Sequence, residues 1–212
     1  MPSRKVIGFD LDGTLLDSIQ FHINTFLYIS KKFKLNIKKK NVIKEFSNPA
    51  QIILKKLVPS IKDETINEFI ETRNRYFVEH ADEIKSFPDV TKTLTQLKKK
   101  YKIILISNTS YQNILRSLEG ANLNPFFFDL IVSCDIVNKP KPSADEIFIA
   151  EKTLHHDLDY YVGDSVVDMK AGLNAKVKTI GVTTGLNSKE ELSKYKPYAI
   201  INKIQELLKV LK

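Results

Sequence analysis

Short apolar runs alternate with segments of helical spacing over most of the chain. One run lies near the N-terminus and the others follow residue 84, each short enough for a buried strand: residues 6–9, 102–106, 129–132, 160–162, 179–182 and 198–201. Helical spacing occupies residues 111–119, 144–154, 166–175 and the C-terminal segment. This succession predicts an α/β fold in which a parallel sheet carries helices on both faces.

Residues 17–84 interrupt the alternation. They contain no glycine and no clear strand, and amphipathic patterns cover residues 18–33, 49–57 and 63–80. An all-helical insert after the first strand is therefore expected, and it would act as a lid. The predicted division is a core domain of residues 1–16 and 85–212 and a helical cap domain of residues 17–84.

Composition narrows the class of protein. A chain of 212 residues suits one domain, or one domain with an insertion, and no apolar run approaches the ~20 residues of a membrane span. The single cysteine, Cys134, excludes an internal disulfide and favours a reducing compartment. Residues 1–5 pass straight into the first strand, which leaves no room for a signal peptide. We expect a cytoplasmic protein with no membrane partner.

The net charge of +8 comes mostly from lysine, including runs at residues 38–40 and 98–100. Such runs are compatible with nucleic-acid binding, but they are not interleaved with aromatic residues. Residues 98–100 also fall at a predicted helix C-terminus, where cations are favoured. We therefore interpret the runs as solvated helix ends and expect no nucleic-acid partner. The positive net charge of the chain would help to attract small anions.

Two carboxylates, Asp10 and Asp12, follow the first apolar run directly. Their spacing of two would point both side chains to the same side of an extended chain. Two close anions repel each other and raise each other's pKa unless a cation or a shared proton relieves them. The pair therefore indicates a site that contains a cation.

Other polar residues follow the later strands. Ser107 and Asn108 follow the second run, residues 139–142 (Lys-Pro-Lys-Pro) follow the third, and Asp164 and Asp168 follow the fourth. Because ligands of open α/β sheets bind outside the carboxyl ends of the strands, these segments should converge on one crevice. Clustered carboxylates suit Mg²⁺, and a hydroxyl beside a lysine suits phosphoryl oxygens. The combination indicates phosphoryl transfer.

These motifs resemble the haloacid dehalogenase superfamily, specifically its phosphatase branch with a helical cap and a Rossmann-like core. The resemblance spans nearly the whole chain, and the phosphoglycolate phosphatase-like group is the most similar. It is carried by four segments: residues 9–18 (Phe-Asp-Leu-Asp-Gly-Thr-Leu-Leu-Asp-Ser), residues 107–108 (Ser-Asn), residues 139–142 and residues 163–168 (Gly-Asp-Ser-Val-Val-Asp).

The resemblance implies a role for each acidic residue. Asp10 would attack phosphorus to form an aspartyl-phosphate, and Asp12 would protonate the leaving oxygen and then activate water. Asp10, Asp164 and the backbone carbonyl of Asp12 would hold Mg²⁺, with Asp168 ligating or bracing the metal.

The phosphate-binding groups follow from the same resemblance. Ser107 and Lys139 would stabilise the transferred phosphoryl group, and Lys139 would also relieve the charge on Asp10. The backbone amides near Leu11 and Asp12 would complete the phosphate cradle. The predicted phosphate-binding set consists of Leu11, Thr14, Ser107, Asn108, Lys139 and His22.

Three residues have a structural interpretation that competes with a functional one. Thr109 is interpreted as a cap of the helix that begins near Ser110. Lys141 is interpreted as a solvated lysine, because only Lys139 begins the pattern Lys-Pro-x-Pro. His22 occupies a place where cap-bearing relatives carry a hinge histidine, but an ordinary helix residue is the favoured interpretation.

The leading functional hypothesis is a Mg²⁺-dependent phosphatase acting on a small phosphorylated metabolite. Phosphoglycolate, a sugar phosphate, a nucleotide and pyrophosphate all remain open as substrates, and residues 46–49 of the insert are candidates for selectivity. A sugar-phosphate mutase and a non-catalytic interaction protein are the alternatives. Thr14 favours hydrolysis over the mutase, and the complete acidic set disfavours the interaction protein. Monomer and homodimer remain equally open.

Overall fold

The computed structural model describes residues 4–211, so residues 1–3 of the predicted lead into the first strand lie outside it. Eight strands are present in the described chain: β1 (Lys5–Phe9), β2 (Leu16–Asp17), β3 (Lys85–Ser86), β4 (Tyr101–Ser107), β5 (Leu130–Ser133), β6 (Tyr160–Gly163), β7 (Lys178–Val182) and β8 (Ala199–Ile201). Six of them form one sheet in the order β5-β4-β1-β6-β7-β8, and every pairing in it is parallel. The predicted α/β class is confirmed, and β1 lies inside the sheet.

The helices of the described chain follow most of the predicted positions. Their bounds are α1 (Ile19–Lys32), α2 (Lys39–Glu45), α3 (Ala50–Leu57), α4 (Asp63–His80), α5 (Val90–Leu97), α6 (Tyr111–Gly120), α7 (Asp145–Leu154), α8 (Val166–Asn174), α9 (Lys189–Ser193) and α10 (Leu207–Val210). The short helices α2 and α9 have too few residues to show a helical period, and the sequence did not predict them. Within residues 4–211, no helix is both long enough and apolar enough to cross a membrane.

The sheet is buried on both faces because its central strands are apolar at successive positions. In β4, Ile103 and Leu105 belong to one apolar cluster, whereas Ile104 and Ile106 belong to another. Helices α5, α6 and α10 contribute to the first cluster, and α7 and α8 contribute to the second. Since side chains alternate between the faces of a strand, the two clusters mark the two covered faces expected of a parallel sheet.

Helices α1 to α4 form a helical insert, which we define as residues 17–84. The insert has its own apolar cluster, in which Phe26, Leu54 and Phe69 are buried. Strands β2 and β3 pair antiparallel where the chain leaves and re-enters the sheet domain. The sequence did not predict this two-residue pairing, which is too short to leave a pattern. The separate cluster supports the proposed division into two domains.

Candidate active site

The centre of the site is Asp10, which follows β1 directly. Its backbone amide donates to the carbonyl of Val162 on β6 (2.8 Å), so the residue is held between the central strands. The side chain is largely buried, because Asp10 is only 8% exposed. Burial raises the pKa of Asp10 well above its ordinary value; Lys141 opposes this shift, and neighbouring carboxylates add to it.

Lys141 supplies the cation that Asp10 requires. Its Nζ lies 2.7 Å from Asp10 Oδ1 and 2.8 Å from Asp168 Oδ1. It also donates to the Ile106 carbonyl at 3.1 Å and to the Tyr161 hydroxyl at 2.8 Å. Burial lowers the pKa of Lys141, but Asp10 and Asp168 outweigh burial and raise that pKa well above its ordinary value. The lysine is therefore a fully enclosed ammonium ion.

The expectation that Lys139 would contact Asp10 is wrong. Lys139 is exposed, whereas Lys141 is only 2% exposed. The carboxylate of Glu146, at the start of α7, accepts from the backbone amide of Lys141 (3.2 Å) and helps to fix the turn. The interpretation of Lys141 as a solvated residue is wrong for the same reason. Which of two lysines two positions apart contacts Asp10 cannot be predicted without knowing the path of the turn that carries them.

Asp10, Asp164 and Asp168 form a buried acidic cluster. One carboxylate oxygen from each lies within 4.8 Å of the others, which is a spacing that can hold a metal ion. Burial, and next the charge of Asp168, raise the pKa of Asp164 to about 7. Asp164 Oδ2 accepts from the backbone amide of Leu186 (3.1 Å), so the loop after β7 also contributes to the site. Three carboxylates with one enclosed lysine leave an excess of negative charge that a divalent cation would relieve.

Glycine is required where the loop after β7 passes Asp164. A Cβ atom built on Gly185 would lie 1.7 Å from Asp164 Oδ2, which no side chain could tolerate. Gly13 also approaches this carboxylate closely, and its φ of +87° favours glycine as well. The carboxylate of Asp164 is therefore packed against two backbone segments that only glycine allows to come so close.

Asp12 is turned away from this cluster. Its carboxylate accepts from Ser18 Oγ (2.5 Å), His22 Nε2 (2.9 Å) and Thr109 Oγ1 (2.8 Å). Burial raises the pKa of Asp12, but His22 and these hydrogen bonds outweigh burial and hold the pKa well below its ordinary range. Asp12 is an ionised carboxylate in this arrangement, and its side chain is not part of the acidic cluster. Its backbone carbonyl remains a proposed metal ligand.

Two residues around Asp12 differ from their sequence interpretation. Thr109 was expected to cap a helix, but Ser110 is the N-cap of α6 and Thr109 contacts Asp12 instead. His22 was favoured as an ordinary helix residue, but it is buried and joins Asp12 to Arg73 of α4, whose Nη2 donates to His22 Nδ1 (3.0 Å). Because a guanidinium can only donate, Nδ1 must be the acceptor, and Nε2–H must donate to Asp12.

The remaining predicted residues lie around Asp10 in different ways. Ser107 is buried at the end of β4, and its Oγ accepts from the Thr109 amide (3.1 Å). The hydroxyl of Thr14 lies between carboxylates, 3.0 Å from Asp164 and 3.4 Å from Asp10, so this contact braces the acidic cluster. Asn108 Nδ2 donates to the Ser47 carbonyl (2.7 Å) and the Lys141 carbonyl (2.9 Å), and it thereby links the helical insert to the sheet domain.

A cavity of about 190 Å³ lies between the helical insert and the sheet domain, and Asp10 is one of the residues that line it. Residues 46–49, which the sequence indicated as candidates for selectivity, all line it. Arg73 and Asn74 of α4 line the same cavity, and Asn113 Nδ2 donates to Asn74 Oδ1 (2.9 Å). The cavity is therefore lined by residues from both parts of the chain, including the three aspartates of the acidic cluster.

The fold and this arrangement are those of a known enzyme class. The family model of haloacid dehalogenase-like hydrolases matches residues 7–182, and the chain belongs to that family. The predicted recognition of this family is confirmed. The protein is an enzyme, a hydrolase of the phosphatase type.

Particular relatives extend over nearly the whole chain. Pyrophosphatase PpaX of Bacillus mycoides (strain KBAB4) is 30% identical over 98% of this chain and 96% of its own length. The crystal structure of a predicted phosphatase from Clostridium acetobutylicum is 26% identical, has a TM-score of 0.83 and covers 98% of both chains. That of a predicted phosphoglycolate phosphatase from Haemophilus somnus is 22% identical, has a TM-score of 0.86 and covers 100% of both chains, and it supports the fold alone.

The sequence left four residues of the site without a functional assignment: Lys141, Thr109, Arg73 and Glu146. For Lys141 a signal was available, since it is also followed by proline. Thr109 directly follows the Ser-Asn pair and could have been considered with it. Arg73 and Glu146 lie on amphipathic helices among other charged residues, where no local pattern separates a buried charge from a solvated one.

Proposed function

We propose that the protein is a Mg²⁺-dependent phosphatase that hydrolyses a small phosphorylated metabolite through an aspartyl-phosphate on Asp10. The observation that carries the proposal is the position of Asp10, which lies at the cavity and within the acidic cluster with Lys141 at 2.7 Å. Lys141 keeps one oxygen of Asp10 in a fixed place and offsets its negative charge. A carboxylate whose position is fixed in this way is oriented to attack the phosphorus of a bound substrate.

Asp12 is proposed as the acid and base of the two steps. Asp12 would first take up a proton from the substrate or from solvent and pass it to the leaving oxygen, and it would later take a proton from the attacking water. The ionised form held by Ser18, His22 and Thr109 is the form that can accept a proton. Asp12 is therefore in the form required of the base in the second step, in which water cleaves the aspartyl-phosphate.

The acidic cluster fits a hard divalent cation. Carboxylates of Asp10, Asp164 and Asp168 offer oxygen ligands of the kind that Mg²⁺ prefers, and the Asp12 carbonyl is the further proposed ligand. When bound, the metal would neutralise charge on the carboxylates and on the phosphoryl oxygens.

Within the described residues, no hydrogen bond occupies the backbone amides of Leu11 and Asp12, which supports their proposed place in the phosphate cradle.

The size of the cavity supports a small substrate. Its volume of about 190 Å³ is below the roughly 300–1,000 Å³ typical of pockets for drug-sized ligands. One relative is named as a pyrophosphatase and another as a predicted phosphoglycolate phosphatase, and both pyrophosphate and phosphoglycolate are small enough to be considered. We propose a substrate from this class of compact phosphates.

The direct test is phosphate release from p-nitrophenyl phosphate with and without Mg²⁺. Asp10→Asn should reduce kcat by about a thousandfold or more, because an amide cannot act as the nucleophile. Asp157→Asn, a change at an exposed aspartate, is the matched control and should retain full activity. Full Mg²⁺-dependent activity of Asp10→Asn would disprove the nucleophile assignment.

The alternatives give different results in the same assays. Interconversion of sugar phosphates without phosphate release would indicate a mutase. Failure of the wild type to hydrolyse any phosphate, together with no binding of Mg²⁺, would favour an interaction protein on this fold. The complete set of acidic side chains and the enclosed Lys141 argue for hydrolysis instead.

A further inference from the structure

A second cationic group faces the cavity from the helical insert. Arg73 of α4 makes a hydrogen bond from Nη2 to His22, but its Nε is buried and has no partner among the described residues. Within residues 4–211, no carboxylate forms an ion pair with this guanidinium. A buried N–H without an acceptor is costly, so it requires an explanation.

Asp12 does not fully balance the charge of Arg73. The two are separated by the His22 ring, whose Nδ1 accepts from Arg73 and whose Nε2–H donates to Asp12. The His22 ring therefore separates the two groups, and the guanidinium lacks a direct anionic partner among the described residues. Lys141, in contrast, contacts two carboxylates directly. Of these two cations at the cavity, only Arg73 has a buried N–H that is left without a partner among the described residues.

Other unpartnered polar atoms line the same cavity. Ser110 is the N-cap of α6, but its side chain makes no capping hydrogen bond, and its buried Oγ has no partner in the described chain. Asn108 Oδ1 and Asn113 Oδ1 are also buried without a partner there. All of these residues face the cavity that contains Arg73. The two amide oxygens can only accept, but Arg73 Nε and Ser110 Oγ are unused donors, one from each part of the chain, and they indicate a place for an oxygen-rich group.

We propose that Arg73 and Ser110 form a subsite for a second anionic group of the substrate. This inference rests on the proposed function, because the first group is the phosphoryl that Asp10 attacks. The second group is a carboxylate or a phosphate, which accepts from the guanidinium and from the Ser110 hydroxyl. The substrate is therefore a compact phosphate that carries a second anionic group, and a phosphate ester whose organic part is uncharged binds less well.

The test compares substrates that differ only in the second group. Phosphoglycolate carries a carboxylate where 2-hydroxyethyl phosphate carries a neutral hydroxymethyl group, and pyrophosphate carries a second phosphate. Arg73→Gln should lower kcat/KM for phosphoglycolate or for pyrophosphate by at least about tenfold more than for 2-hydroxyethyl phosphate, because a charge-assisted hydrogen bond is lost. Most of this loss should appear in KM, and Arg73→Lys should restore part of it.

Arg75→Gln is the matched control, since Arg75 is exposed on the same helix. It should leave all three substrates unchanged. Ser110→Ala should repeat the selectivity of Arg73→Gln with a smaller loss. A larger loss of kcat/KM for phosphoglycolate identifies the second group as a carboxylate, and a larger loss for pyrophosphate identifies it as a phosphate.

Two outcomes separate the failure of this inference from the failure of the proposed function. An equal loss of kcat on all three substrates in Arg73→Gln would overturn the subsite and show that Arg73 acts only through His22 and Asp12. A wild-type enzyme that hydrolyses none of the three, nor p-nitrophenyl phosphate, would overturn the proposed phosphatase itself.

Discussion

Lys141 is surrounded by four oxygen atoms, although an ammonium group has only three N–H bonds to donate. The arrangement is satisfied because the Tyr161 hydroxyl can donate its own proton to Asp168, 3.1 Å away. The enclosed lysine is thus held by groups from separate strands and by the acidic cluster. Its position is a property of the folded site rather than of the local turn.

A pair of lysine substitutions tests this placement. Lys141→Met should lower kcat by about 100-fold or more, because a preorganised cation beside the transferred phosphoryl group is lost. Lys139→Met is the control and should retain wild-type activity, since Lys139 is exposed. Activity is measured as Mg²⁺-dependent phosphate release, with circular dichroism to verify folding. The opposite ranking of the two variants would restore Lys139 as the site lysine.

The turn between β5 and α7 contains Lys141, and a buried residue of α7 holds this turn in place. Glu146, at the start of α7, is buried and accepts from the Lys141 amide. Burial raises the pKa of Glu146 from 4.5 to about 7. Between these two values the folded state binds more protons than the unfolded state, so the free energy of unfolding falls as the pH rises.

Glu146→Gln should therefore flatten the pH dependence of stability. In metal-free wild type, the free energy of unfolding should decrease between about pH 5 and pH 7, with Glu146 contributing at most about 3 kcal/mol. Asp164, whose pKa is also raised, contributes in the same direction and leaves a residual slope in the variant. Urea unfolding at several pH values in EDTA measures the slope. Glu83→Gln, at an exposed position, should keep the wild-type slope, and an identical slope in Glu146→Gln would contradict the prediction.

The complete fold brings carboxylates from two strand ends together at a cost that a cation would offset. Mg²⁺ at 100 times its Kd should stabilise the folded state by about 2.7 kcal/mol. For a chain of this length that corresponds to a rise in Tm of roughly 5–10 °C. Asp164→Asn should lose most of the rise, whereas Asp157→Asn should keep it. A Tm in wild type that does not respond to Mg²⁺ would remove the support for the metal site.

The elements of the sheet domain were largely predictable because each strand and long helix carries its own period. Strand β6 was expected at residues 160–162 and spans Tyr160–Gly163, and in the helical insert α4 was expected at residues 63–80 and spans Asp63–His80. The two-residue strands β2 and β3 were not predictable, because their pairing depends on where the insert returns the chain. Short elements are determined by contacts with distant residues rather than by a local pattern.

Local patterns alone indicated the α/β class, the helical insert and the convergence of Asp10, Asp164 and Asp168, because hydrophobic periodicity and strand ends are encoded within a few residues. Only the tertiary structure distinguished Lys141 from Lys139, turned Asp12 toward Thr109 and His22, and brought Arg73 to the cavity. These features depend on which side chains become buried together across separate elements. Burial and the pairing of charges are properties of the assembled fold, and no single segment contains them.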